Sequence, residues 1–100
     1  MSALASKTEL LVLGMLRDQP TGLYGLEIVK GSNGVLKRGT VYVLLGRMED
    51  KGYIKQRTDK QANHPGLPRP LYTLTALGQR TLSGTEAAYA AALGWNLSRA

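Results

Sequence analysis

The sequence predicts a mainly α chain carrying a two-stranded β-wing, and three observations point to it. Apolar residues recur at helical spacing in separate stretches before residue 52. Two short runs of strand type follow between Tyr53 and Leu74, parted by a loop of Asp, Asn, Gly and Pro. An alanine-rich stretch then fits a last long helix.

The first helix is expected over 6–18. Ser6 or Thr8 can cap it, and Glu9 stands in the first turn, where the helix dipole favours a carboxylate. Leu10, Leu11, Val12, Leu13, Met15 and Leu16 leave it little polar circumference, so it is expected to be buried on more than one side, in part by another subunit. Gln19-Pro20-Thr21-Gly22 reads as a turn. A short second helix is expected over 24–30, with Tyr24, Ile28 and Val29 inward, and Gly31-Ser32-Asn33-Gly34 breaks it.

A third helix is expected over 38–51. Val41, Leu44, Leu45 and Met48 share one face, and Gly52 suits the position just past its end. Tyr53 to Thr58 reads as a strand, residues 59–68 as the hairpin loop, and Arg69 to Leu74 as the return strand. Thr75 can cap the final helix, which runs from Ala76 to about Trp95. Three helices followed by a hairpin make a winged helix-turn-helix. Its domain is expected over 1–75, with the recognition helix at 38–51, the wing at 54–74 and a C-terminal dimerisation helix over 76–100.

Charge and composition narrow the function. The formal net charge is +6, and eight of the thirteen basic residues lie between Lys37 and Arg69, opposed only by Glu49, Asp50 and Asp59. That concentration suits a polyanionic partner, although basic runs are also ordinary solvated surface. There is no cysteine, which excludes disulfides and thiolate metal sites, and the lone His64 has no partners for zinc. No cofactor is expected. No run of 18 apolar residues exists, and Thr8 and Glu9 interrupt any secretion-signal pattern, so a cytoplasmic, non-membrane protein is expected. Neither a hydrolase triad nor a phosphate loop is visible. Glu49 and Asp50 are adjacent on a helix and point apart, so an enzyme is not expected.

With the apolar stripe of the third helix inward, its outer surface holds Gly39, Val43, Gly46, Arg47 and Asp50, with Thr40 and Tyr42 on the shoulders. Two glycines on an exposed helix face cost about 1 kcal/mol each against alanine. Close approach to a groove floor would offset that; close packing of the second helix, or a tolerated weak helix, are the alternatives. Thr40 and Val43 can touch a thymine methyl, and Arg47 a guanine edge or a phosphate. Lys37 and Arg38, at the helix start, suit phosphates. Tyr42 either donates its hydroxyl to a phosphate or lies half-buried against the wing. Lys55, Arg57, Lys60 and Arg69 would make a basic wing along the duplex backbone.

The stretch Gly39-Thr40-Val41-Tyr42, Leu45, Arg47-Met48-Glu49 and Gly52-Tyr53-Ile54 resembles the recognition-helix signature of the PadR family of transcriptional regulators, S-x-G-T-[LIV]-Y-P-x-L-x-R-L-E-x-x-G-[LY]-I. Gly22-Leu23-Tyr24-Gly25-Leu26-Glu27-Ile28 loosely resembles its second-helix motif, and Pro68 to Thr75 its return strand, followed by Ala76-Leu77-Gly78. The match covers roughly residues 8–82. It departs at Lys37, where the family usually has serine, at Val43, where proline is common, and in the short glycine-rich turn between the second and third helices.

The resemblance implies a dimeric winged-helix repressor on double-stranded DNA, of the short-tailed kind with a single C-terminal helix. Leu82, Tyr89, Leu93 and Leu97 form one stripe of that helix, and Gly84, Ala88, Ala91 and Trp95 another. An isologous homodimer is expected through Leu10, Leu13, Leu82, Tyr89, Leu93, Trp95 and Leu97. Some small family members hold a flat aromatic ligand beside an interface tryptophan, and Trp95 is either such a residue or an ordinary interface anchor. Two other functions fit the same elements: a partition or architectural protein that spreads on DNA, and a winged-helix module that binds protein.

Overall fold

A computed structural model describes residues 4–59 and 69–92. The elements run α1 (Lys7–Asp18), β1 (Leu23–Tyr24), α2 (Gly25–Gly31), α3 (Arg38–Asp50), β2 (Ile54–Asp59), β3 (Arg69–Leu74) and α4 (Ala76–Ala92). Lys60 and His64 of the expected loop, and Leu93, Trp95 and Leu97 of the expected interface, lie outside the described residues.

Local chemistry sets the helix ends. Ser6 and Glu9 form a reciprocal capping box on α1: the Glu9 amide donates to the Ser6 hydroxyl at 3.2 Å, and the Ser6 amide to the Glu9 carboxylate at 2.9 Å. Glu27 accepts from the Tyr24 amide at 2.8 Å at the start of α2. The turn into α3 needs left-handed backbone, which Asn33 (φ 53°) and Gly34 (φ 88°) supply. The buried Ser32 hydroxyl holds that turn, donating to the Val29 carbonyl at 2.7 Å and accepting from the Leu36 amide at 3.0 Å. At the far end of α3, the Tyr53 amide donates to the Met48 carbonyl and the Gly52 amide to the Glu49 carbonyl. This is a Schellman motif, with Gly52 at φ 81° in the position that favours glycine.

Among the described residues the sheet has three strands, one more than expected, in the order β1-β3-β2, all antiparallel. Leu23 and Tyr24 pair with Tyr72 and Leu71, so Tyr24 belongs to a strand and is not an inward residue of α2. β1 reaches no further along β3 than Leu71, so Pro70 has only β2 beside it, as suits a residue without an amide donor.

One core joins every helix. Val12, Leu13 and Leu16 of α1, Ile28 of α2, Val41, Leu45 and Met48 of α3, Ile54 and Tyr72 of the sheet and Leu82 of α4 are buried together. Leu44, expected in the core stripe, is only half-buried at its edge. Polar ties add to the packing. The Ala5 amide donates to the buried Thr85 hydroxyl at 3.0 Å, and Arg17 meets Glu86 at 3.3 Å. Thr75 caps α4 by accepting from the Gly78 amide at 3.0 Å, while its own hydroxyl proton faces the carbonyls of Gly52 and Tyr53.

The core corrects two residues expected at a dimer interface. Leu13 is fully enclosed and Leu82 is 1% exposed within a single chain, which leaves a second subunit nothing to touch at either. Their apolar stripes cover α1 and α4 against each other and against the rest of the same domain.

Candidate nucleic-acid interface

Burial of Val41, Leu45 and Met48 turns the opposite side of α3 outward. Lys37, Arg38, Gly39, Thr40, Tyr42, Val43 and Arg47 are all exposed there, and Gly46 is half-buried. The structure thus brings the expected contact residues of the helix onto one surface. A Cβ added at Gly39 or Gly46 would meet nothing within 4 Å. Neither glycine is therefore there to let α2 or any other part of the described chain pack closely.

Gly25 does admit a neighbour. A Cβ there would lie 2.6 Å from the Tyr42 ring, so the ring rests over the first residue of α2. Tyr42 remains 45% exposed, which leaves it accessible on the same surface as Arg38. The start of α3 has no side-chain cap: Lys37 makes no capping bond, and the Thr40 hydroxyl donates back to the Lys37 carbonyl at 3.2 Å. Its first amides are thus left without a side-chain partner, flanked by two cations, which is an arrangement that favours anions.

The hairpin cations are arranged differently. In β2, Lys55 and Arg57 alternate with Gln56, whose amide donates to Glu49 of α3 at 3.0 Å. Lys55 and Arg57 therefore stand on the sheet face turned away from α3. Both line a groove that Pro20, Thr21, Gln56, Thr73 and Leu74 also border. Arg69 is half-buried, and its guanidinium stacks 3.9 Å from the centre of the Tyr24 ring. Sequence reading missed Tyr24 as this platform and Gln56 as the tie between wing and helix. Strict alternation along β2 was the signal that could have separated Gln56 from its basic neighbours.

The Glu9 carboxyl and the Tyr72 phenol behind the surface are both perturbed. Burial alone pushes the Glu9 carboxyl up, but the Lys51 ammonium and the Ser6 amide and hydroxyl outweigh it and hold it below the usual carboxylate range. Burial, reinforced by Glu49 and Tyr42, pushes the Tyr72 phenol up, so it stays neutral under ordinary conditions.

Among the described residues there is no group of three His, Cys, Asp or Glu able to hold a metal ion. No described helix is long and apolar enough to cross a membrane.

Residues 12–84 match the family model described as the transcriptional regulator PadR-like family. The chain belongs to that family. Solved PadR structures agree in shape. A PadR-family regulator from Clostridium difficile shares 30% identity, with a TM-score of 0.71 over 84% of this chain and 88% of that one. Bacillus subtilis PadR in complex with operator DNA shares 28% identity, with a TM-score of 0.66 over 78% of this chain and 45% of that longer one. The MepR–DNA complex from Staphylococcus aureus, at 24% identity and a TM-score of 0.69 over 84% of this chain and 64% of that one, shares the winged-helix fold. No curated protein matches the chain. For this PadR-like regulator, the second-helix, recognition-helix and wing segments that resembled the family all fall inside the matched region.

Proposed function

We propose that this PadR-like protein is a sequence-specific DNA-binding repressor that acts as a homodimer, with α3 in the major groove. The outward face of α3 carries this reading. Gly39 and Gly46 are bare of neighbours, Val43 is 58% exposed, and the cations Arg38 and Arg47 stand at either end of the face. Such a surface offers close backbone approach, an apolar contact and phosphate anchors on one helix. The DNA-bound B. subtilis PadR, 28% identical, supports it.

The division of labour gives the DNA contacts to residues 1–75 and dimerisation to 76–100 together with α1. With Leu13 and Leu82 committed to the core, the apolar side chains open to a partner among the described residues of these elements include the half-buried Leu10, Leu11 and Met15 and the exposed Leu77 and Tyr89. A two-fold axis there would set two α3 helices about 34–36 Å apart, one turn of DNA. The role needs no catalytic group, and a cytoplasmic location is part of the proposal.

Selection of bound duplexes from a random pool tests the reading. A palindromic site with half-sites one turn apart is expected, and Arg38→Glu with Arg47→Glu should abolish binding to it. Binding that survives the double reversal refutes the groove model. Sedimentation tests the homodimer separately.

A further inference from the structure

We propose that Val43, with Thr40, reads the C5-methyl groups of two neighbouring thymines, which makes operator choice depend on methyl groups more than on hydrogen bonds at the middle of α3. This rests on the DNA-binding reading above and specifies what the helix recognises there. Val43 is 58% exposed and stands between Gly39, four residues before it, and Gly46, three residues after. Residues three and four apart are neighbours on a helix surface, so Val43 projects between two positions that have no side chain at all. Both of those positions open onto empty space.

The ligand chemistry follows from what a groove offers. The base edges of the major groove present donors, acceptors and one apolar group, the thymine methyl. A valine can make no hydrogen bond, so the methyl is the one feature there that it can recognise. Its β-branched side chain holds essentially one rotamer on a helix, so little freedom is lost on contact. Thr40 extends the patch. Its hydroxyl proton is engaged by the Lys37 carbonyl at 3.2 Å and so is not free to donate to a base. Thr40 and Val43 are separated by about 4.5 Å along the helix axis. That is close to the roughly 3.4 Å step between base pairs, so two adjacent methyls suffice. The exposed Arg38 and Arg47 on the same helix favour a polyanion over a second copy of this basic chain.

The test uses the full chain and a duplex it selects from a random pool, resynthesised with deoxyuridine replacing one thymidine at a time. Uracil keeps every hydrogen-bonding atom and lacks only the methyl. For the wild type, one or two positions per half-site should show affinity about four-fold lower, the worth of one buried carbon. Val43→Ala should bind the thymidine and deoxyuridine forms of at least one such position equally. Its exposed site and better helix propensity keep the fold intact, checked by thermal melting. Insensitivity of the wild type to every replacement overturns the inference, as does undiminished sensitivity in Val43→Ala. Failure to select any duplex overturns the DNA-binding reading instead, so the two failures are distinct.

Discussion

The Lys51 ammonium lies 2.7 Å from the Glu9 carboxylate, joining residues 42 positions apart at the start of α1 and the end of α3. Glu9 is almost buried, and its other oxygen caps its own helix through Ser6. One carboxylate therefore closes the N-terminus of α1 and fixes the C-terminus of the proposed recognition helix. Lys51 also lies 5.7 Å from the Tyr53 ring, where the chain leaves α3 for the wing.

Breaking this tie should loosen α3. Lys51→Met is expected to cost about 1 kcal/mol at neutral pH, since the lysine is half exposed and its hydrogen bond is charge-assisted. The pH dependence has a defined sign. The Glu9 carboxyl is depressed in the folded state, so its contribution is present above its unfolded value of about 4.3 and is lost as pH falls through the lower folded value. The Lys51 ammonium is raised, chiefly by the bond to Glu9, so its part is present below about 10.4 and lost as pH rises through the higher folded value. Urea unfolding of wild type and Lys51→Met at pH 7 and pH 3 should show the difference between them shrinking in acid. A constant difference would mean that the pair is not responsible.

Two glycines should respond unequally to alanine. At Gly78 an added Cβ would strike the Tyr53 carbonyl, part of the backbone that leads out of α3, and neither group can swing away. Gly78→Ala should cost about 2–3 kcal/mol, the upper part of the overpacking range. At Gly25 the obstacle is the outer end of the Tyr42 side chain, which is half exposed and free to turn. Gly25→Ala should cost less than about 1 kcal/mol, yet lower DNA affinity as much as Tyr42→Ala does. Equal melting losses for the two variants would contradict the packing at these sites.

Much of this was legible in the sequence because the signals were local. Ser6 and Thr75 marked two helix starts, Gly52 marked a helix end, and the spacing of Val41, Leu45 and Met48 oriented α3 correctly. What was hidden depends on distant pairing. A strand of two residues has no period to read, so Tyr24 was assigned to a helix and Leu23 to no element, and with them went the platform for Arg69. Leu13 and Leu82 were apolar at helical spacing, but spacing does not tell which of two surfaces covers a face. The core of the same chain covers both.

The facing of the wing cations predicts unequal electrostatics. Neutralising Arg38 or Arg47 should remove one of the proposed phosphate contacts beside α3 and reduce the slope of log affinity against log salt by about 0.9 each. Lys55 and Arg57 face away from α3, toward Pro20 and Thr21. Their alanine variants should each change the slope by about half of that or less. A titration over a ten-fold range of salt resolves these slopes. Equal changes would show that the duplex wraps both faces of the wing.

Gly39 and Gly46 should show stability and binding moving in opposite directions. Each lies within α3, where alanine is favoured over glycine by about 1 kcal/mol, and each has open space where a Cβ would go. Gly39→Ala and Gly46→Ala should therefore raise the melting temperature, each by roughly 4–8 °C for a domain of this size. A methyl that touches nothing in the free protein would nonetheless push the helix away from a groove floor. Contacts made by Val43, Arg47 and Tyr42 would then lengthen together, so the loss should exceed that of removing any one of them. Affinity for the selected duplex is expected to fall at least ten-fold in each variant, with non-specific binding at low salt little changed. A variant that is both more stable and as tight in binding would show that these glycines serve no close approach to DNA.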